Sequence, residues 1–554
     1  MSPTARSAVI ALVIATCATL FVLVGSATLT HNPPTTSAPR PLDSSVSTTS
    51  SPLAKAKTAS ALPEAPGPNP QTPAPHPPAP APLGQPNIVV LLIDDFAAMD
   101  DRVFQRLPNI KSTFLDQGIS FTNYWGNFSL CCPGRAALLS GQRDDHNGVM
   151  KNEATLFDPR ETIATELQGA GYYTGIVGKY FNGTSALTSK TPPGWDYVAI
   201  KDDGPYYNYP AWVNGVKEIH GATDADYSVD VMASKSVPFF ENAPPDKPIF
   251  AWLAPNATHG GSDEDGVKIP TQPVPPARYR GDPRCADIPP YDPASFNILN
   301  TGPKPAYERK LPLVPYANGW DLTLDCESLL AVNDWFGQVL DELKAEGRYD
   351  NTIFVLASDN GMGWGAHHIP GKIAPYTAQM PLYISWPAVI DGPMSQDANL
   401  VSNIDVAPTL CEIAGCQMGP YFNGYGVDGQ SFAGLIDPAR YSSVPQRDSI
   451  VIEGVGGGVP FFEAIMTGAN NPLGQWLFVH YATGEKELYD VSGGPCASWS
   501  VGDPGDPCML HNLTRLRPHL RKTLALELTV DWGASPISMT NHPGAGQVDP
   551  AGDQ

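Results

Sequence analysis

The chain has 554 residues, with 56 acidic side chains against 34 basic ones and a formal net charge of −22. A surface of that sign does not hold nucleic acid or another polyanion by general attraction, although a local cationic pocket remains compatible with it. The length suits one large domain or several average ones.

The N-terminus carries Arg6 and then an apolar run from Ala8 to about Leu23, followed by the small residues Gly25-Ser26-Ala27. Residues 1–29 therefore read as a secretory signal peptide or, with the run extended to Leu29, as a membrane anchor. Either reading exports the body of the protein, to a secreted or cell-surface location. Residues 30–86 are mostly Pro, Ala, Ser and Thr. Such a segment buries too little apolar surface to offset chain entropy, so an extended, unfolded spacer is expected.

From Asn87 the pattern becomes α/β. Apolar, β-branched runs predict buried strands at Asn87 to Ile93, Tyr173 to Val177, Pro248 to Ala254, Thr352 to Ala357 and Pro381 to Trp386. A helix is expected where Leu329, Val332, Phe336, Val339 and Leu343 share one face, ending at Gly347. Alternating strands and helices predict a mostly parallel sheet covered on both faces, over residues 87–437. After about Asp437, short strand-like runs (Ser449 to Ile452, Trp476 to His480) precede a helical stretch from about Pro518 to Val530. They predict a small α+β subdomain at 438–535 with an antiparallel sheet, and residues 536–554 read as a disordered tail.

Cysteine usage fits export. Cys411 and Cys416, and Cys496 and Cys508, are close enough for local disulfides; Cys285 with Cys326 is a further pairing, leaving Cys132 as a free thiol, though spacing alone leaves the connectivity open. No C-x-x-C pair is present, which argues against a thiolate zinc site.

In parallel sheets, ligands bind beyond the carboxyl ends of the strands. Four of the predicted strands run into polar residues there: Asp94-Asp95, Gly178-Lys179, His259 a few residues on, and Ser358-Asp359-Asn360-Gly361. Asp94, Asp95, Asp359 and Asn360 offer three carboxylates and an amide oxygen, a set suited to a hard cation, calcium first and magnesium second. A strand-to-helix N-cap is the competing reading of Asp94-Asp95 alone.

The pentapeptide Cys131-Cys132-Pro133-Gly134-Arg135, followed by Ala-Ala-Leu-Leu-Ser-Gly, resembles the activation signature of the type I sulfatases. Asp94-Asp95 before it, and Gly178-Lys179-Tyr180, His259, Ser358-Asp359-Asn360-Gly361 and Lys372 after it, occur in that family's order. Pro193-Gly194-Trp195-Asp196-Tyr197, the run Asn403 to Leu410, and Gly484 to Asp490 match as well. The resemblance covers roughly residues 87–530 and is nearest the N-acetylglucosamine-6-sulfatase and heparan endosulfatase branch.

The resemblance implies an alkaline-phosphatase-like fold and hydrolysis of O-sulfate esters on a sugar or aryl alcohol. It implies that a formylglycine-generating enzyme oxidises Cys131 to formylglycine, whose hydrate is the nucleophile. Asp94, Asp95, Asp359 and Asn360 would hold calcium, with the modified Cys131 as a further ligand. Arg135, one helical turn after Cys131, would orient the hydrated aldehyde. Lys179 and Lys372 would neutralise sulfate charge, and His259 would protonate the leaving alcohol, a role Lys372 could share. The chain departs from the pattern at Gly134, where serine is usual. It departs again at Phe181, where many relatives have histidine and Asn182 stands next in line. Thr377 replaces an acidic residue, and either His367 or His368 could face the site. Two alternatives remain: a phosphodiesterase or phosphonate monoester hydrolase built on the same site, and a tethered, non-catalytic protein that binds sulfated glycans.

Overall fold

A computed structural model describes residues 84–531, apart from residues 99, 100, 203, 270 and 495. The leader or anchor at 1–29, nearly all of the 30–86 spacer and the tail at 536–554 lie outside the described residues. Among the described residues no helix is long and apolar enough to cross a membrane.

A ten-stranded sheet forms the centre. Its strands in chain order are β1 (Asn87–Ile93), β2 (Ile119–Phe121), β3 (Tyr173–Lys179), β4 (Tyr197–Lys201), β5 (Pro210–Val213), β6 (Val216–Ile219), β7 (Ile249–Ala254), β8 (Thr352–Ser358), β9 (Leu382–Ser385) and β10 (Met394–Gln396). They lie side by side as β10-β2-β9-β8-β1-β7-β3-β4-β5-β6. The inner five, β8-β1-β7-β3-β4, are all parallel. On the flanks β9 runs antiparallel to β8, and β5 antiparallel to β4.

The inner strands are apolar on both faces because helices cover both. Val89, Leu91 and Ile93 of β1 and Phe354 and Leu356 of β8 enter one buried layer, with helices α3 (Ser228–Glu241) and α4 (Thr323–Ala345). Ile88, Val90, Leu92, Ile353 and Val355 enter the other, with α1 (Cys131–Ser140), α2 (Ile163–Gly169) and α5 (Val406–Ala414). Each fully buried side chain of this kind contributes about 1.5–3 kcal/mol. The predicted apolar face of α4, with Trp335 beside it, is fully buried against the sheet.

A separate four-stranded antiparallel sheet follows, in the order β11 (Ser449–Gly456), β12 (Val459–Thr467), β13 (Trp476–Tyr481) and β14 (Lys486–Asp490). Ile450, Ile452, Phe462, Leu477 and Val479 pack its inner face onto Trp125, Ala378 and Leu400 of the main body. Val451, Ile465, Phe478 and Leu488 pack the other face onto Leu524 and Leu528 of α6 (Pro518–Asp531). Disulfides join Cys285 to Cys326, Cys411 to Cys416 and Cys496 to Cys508, while Cys131 and Cys132 are buried outside any disulfide. The first of these ties the Pro- and Asp-rich loop after β7 to α4.

Candidate active site

Asp94 and Asp95 leave the end of β1 at the carboxyl rim of the inner sheet. Asp95 adopts the left-handed backbone region, φ 63°, which a residue with a β-carbon holds only where its surroundings enforce it. Those surroundings are explicit. Thr258 donates from N to the Asp94 carbonyl at 2.7 Å and from Oγ1 to the Asp95 carbonyl at 2.9 Å. The Asp95 amide donates to Asp359 Oδ1 at 3.2 Å. The turn after β7 is braced in its own right, since the buried Tyr206 hydroxyl donates to the His259 carbonyl at 2.8 Å.

Cys131 opens α1, where the unpaired amides and the helix dipole favour negative charge. Its Sγ lies 3.8 Å from Asp94 Oδ1 and 3.9 Å from Asp95 Oδ1. One turn on, the fully buried Arg135 donates from Nε to Asp359 Oδ2 at 2.8 Å and from Nη1 to the Lys179 carbonyl at 2.7 Å, with Nη2 3.5 Å from Asp94 Oδ2. Lys179, the last residue of β3, donates to Asp94 Oδ2 at 2.6 Å. Lys372 donates to Asp95 Oδ1 at 2.6 Å and to Cys131 Sγ at 2.9 Å. His259 places Nε2 3.6 Å from Asp95 Oδ2 and turns Nδ1 toward the Gly260 carbonyl.

Burial pushes the Asp94 carboxyl up, but Lys179, His259 and Arg135 outweigh it and hold Asp94 below the usual carboxylate range. Asp95 behaves likewise, with Lys372 the largest opposing cation. Burial lowers Lys179, but Asp94 more than restores it; for Lys372, Asp95 does the same, so both ammonium groups stay charged. Burial raises the Cys131 thiol well above its ordinary value despite both lysines, so the unmodified side chain is a neutral thiol.

The residues fit a bound cation. Asp94, Asp95, Cys131 and His259 bring one donor atom each to within 4.8 Å of one another. Asn360 Oδ1 is buried with no hydrogen-bond partner, while its Nδ2 donates to Asp95 Oδ1 at 2.8 Å. An unsatisfied buried amide oxygen beside ionised carboxylates is a ready ligand for a hard cation. His259 thus stands inside the donor cluster, and both oxygens of Asp359 accept hydrogen bonds, from Asp95 N and Arg135 Nε.

All nine sequence-predicted residues, Asp94, Asp95, Cys131, Arg135, Lys179, His259, Asp359, Asn360 and Lys372, are in this constellation. Asn182 instead meets Cys132, donating from its amide to Cys132 Sγ at 3.2 Å. His367 is buried against Tyr376, and His368 faces the carbonyls of Ile298 and Leu311. Thr377 is buried and shares a hydrogen bond with Ser129 at 2.9 Å. Sequence reasoning missed Thr258 and Tyr206, which act through backbone carbonyls. The adjacency of Thr258 to His259 was the available signal for the first; nothing local marks the second.

The family model described as Sulfatase matches residues 86–416, and the chain belongs to the sulfatase family, as a sulfuric ester hydrolase. It resembles that family's N-acetylglucosamine-6-sulfatase branch. It is 26% identical over 402 residues to the N-acetylglucosamine-6-sulfatase of Capra hircus, covering 68% of this chain and 67% of that protein. It is 28% identical over 364 residues to the extracellular sulfatase SULF-1 homolog of Drosophila melanogaster, covering 61% of this chain and 31% of that longer protein. The solved structure of BT4656 in complex with its substrate D-glucosamine-2-N,6-O-disulfate shares the fold, with a TM-score of 0.63, 20% identity, and coverage of 84% of this chain and 100% of that one.

Proposed function

We propose that this protein is an exported sulfatase that removes O-sulfate from a sugar, with a glucosamine 6-sulfate as the first substrate class to test. Cys131 is the residue that a formylglycine-generating enzyme oxidises, and calcium is the ion held by Asp94, Asp95, Asp359 and Asn360 beside it. The observation that carries this reading is the meeting of Cys131 Sγ with two ionised carboxylates and the Lys372 ammonium, 2.9 Å away, at the N-terminus of α1. The named activities of the relatives support the substrate class, and the signal-like N-terminus supports export.

The hydrated aldehyde supplies a hydroxyl nucleophile that an ordinary thiol at this position lacks. Calcium, when bound, supplies a Lewis acid for sulfate oxygen. The chain's own groups do the rest. Lys179 and Lys372 hold fixed positive charge where the transferring sulfate gathers negative charge. Arg135 locks Asp359 and Asp94 in place, so the carboxylates need not reorganise during the reaction. His259 keeps Nδ1 on the Gly260 carbonyl and leaves Nε2 toward the site, oriented to give a proton to the departing alcohol.

Peptide mass spectrometry across Ser129–Arg135, on protein from its native host, is the test, paired with turnover of aryl sulfate and glucosamine 6-sulfate. An aldehyde or its hydrate at Cys131 with calcium-dependent sulfate release is expected. An intact thiol with persistent glycan binding and no turnover overturns the reading in favour of a binding protein. Faster turnover of aryl phosphate or phosphonate esters overturns it in favour of the phosphoryl hydrolases.

A further inference from the structure

Lys372 reaches Cys131 from a segment that has almost no regular structure of its own. Between Asn360 and Gln379 the one helix is a short 3-10 turn, Pro375–Thr377. Four non-glycine residues there, Trp364, His367, His368 and Ile373, have positive φ, at 44°, 54°, 66° and 69°. For the β-branched Ile373, adjacent to Lys372, that conformation is costly, of order 1–3 kcal/mol, and persists only where other contacts over-determine it. One such contact is local, the Ile373 amide on the Ser129 carbonyl at 3.1 Å.

The other anchor is Tyr376, four residues past Lys372. Its hydroxyl lies 2.6 and 2.7 Å from the two carboxylate oxygens of Glu487 and 2.9 Å from Glu308 Oε2. Its ring is packed by the Lys304 ammonium, 4.1 Å from the centroid, and by the His367 ring, also 4.1 Å away. Glu487 lies on β14 of the C-terminal sheet and is 1% exposed. It also accepts from the Tyr481 hydroxyl at 2.6 Å and from Tyr489. Lys304 Nζ, 3.6 Å from Glu487 Oε1, donates to Tyr489 Oη and the Met509 carbonyl, both at 2.8 Å. Glu308 stands on the other side of the hydroxyl, its carboxyl raised by burial, with Oε1 3.9 Å from Lys304 Nζ. The buried Lys304 ammonium therefore lies within 3.9 Å of both carboxyl groups that Tyr376 touches. Nothing in this cluster is among the donor groups around Cys131, yet it grips the far end of the segment that delivers Lys372.

We propose that Glu487 is a positioning residue for the reaction: through Tyr376 it fixes the 361–379 segment and so sets the distance between Lys372 and the reacting group at position 131. The C-terminal sheet is then part of the catalytic apparatus, and this inference rests on the role given to Lys372 above.

The test is a double-mutant cycle in the mature enzyme on an aryl sulfate, with thermal midpoints recorded for every variant. Glu487→Gln keeps the shape but removes one of the two carboxyl groups facing Lys304; Tyr376→Phe keeps the ring and removes the hydroxyl. Each is expected to lower kcat/KM by about tenfold, and by no more than about a hundredfold, the scale of a displacement near 1 Å at a reacting centre. Combined with Lys372→Ala, neither should lower it further. A full additional loss in the Lys372→Ala background, or wild-type kcat/KM in folded Glu487→Gln or Tyr376→Phe, overturns the inference. If Lys372→Ala alone keeps wild-type turnover, the role of Lys372 has failed instead, a different result. Should Glu487→Gln not fold, Tyr376→Phe carries the same cycle.

Discussion

Gly134 and the carbonyl of Asp359 approach so closely that a β-carbon on Gly134 would stand 1.9 Å from the Asp359 oxygen. The helix that begins with Cys131 therefore rests directly on the backbone of the Asp359–Asn360 turn, with no side chain between them. A side chain at this position would force that contact open.

Gly134→Ser, although it restores the residue usual in the family, is expected to be harmful here. The added atoms must push α1 away from Asp359, at a cost of about 1–3 kcal/mol for overpacking. The thermal midpoint should fall, and turnover per mole of aldehyde should drop by about tenfold or more, because a small displacement at a reacting centre is amplified. Counting aldehyde by mass spectrometry separates this loss from a change in Cys131 oxidation. Unchanged turnover per aldehyde would remove the packing argument.

Arg135 holds together groups that cannot be left alone. Arg135→Ala strands Asp359 and Asp94 without their guanidinium, and breaking a buried pair in this way costs about 3–5 kcal/mol. Arg135→Lys is expected to rescue little, because an ammonium cannot span Asp359 Oδ2 and the Lys179 carbonyl as the planar fork does. Urea unfolding of the two variants checks both statements.

Chelation supplies the metal test. Calcium at about a hundred times its Kd should stabilise the fold by about 2.7 kcal/mol, and EGTA should reverse the gain. Asn360→Ala, which removes the unpaired Oδ1, should shift the calcium concentration needed for half the effect upward by about tenfold or more. Thermal denaturation against calcium concentration reads this without any substrate. No calcium response in the wild type would exclude the site.

Asp144 and Glu453 form a buried acidic pair outside the constellation around Cys131. Burial, opposed by a hydrogen bond from Glu453, raises Asp144 to about 6, and burial with the Asp144 charge raises Glu453 itself well above its ordinary value. Glu463, opposite Glu453 on the neighbouring strand, is raised by burial to about 7. Carboxyls with raised values bind more protons folded than unfolded. Their contribution is therefore fully present below about pH 4 and is lost as pH rises through the folded values. The thermal midpoint should fall between about pH 4 and pH 7. Glu453→Gln, which still donates to Asp144, should flatten that fall. An equally steep fall in the variant would assign the pH dependence elsewhere.

Much of the fold was legible because its signals are local. Asn87–Ile93 and Thr352–Ser358 are continuous apolar runs, and the α4 face repeats at helical spacing. Tyr197–Lys201 is not legible because it is short and begins on the last residue of the Pro193–Tyr197 motif. Strand direction was not legible either: nothing in the run Pro381 to Trp386 says that β9 lies antiparallel to β8, since periodicity carries no sign. Asp94, Asp95, Lys179, Asp359 and Asn360 were legible as polar residues at or just past strand ends, whereas Cys131, Arg135 and Lys372 were legible only through the family resemblance.

By itself, the sequence determined which residues are chemically competent and that they gather at one rim, because strand and helix formation depend on neighbours in the chain. Only the tertiary structure decided who pairs with whom. Arg135 meets Asp359 across 224 residues, Lys372 meets Cys131 across 241, and Tyr376 meets Glu487 across 111. Those pairings form only when the sheet, its loops and the C-terminal sheet exclude water together. Coulombic attraction strong enough to hold a charged side chain in place requires that exclusion.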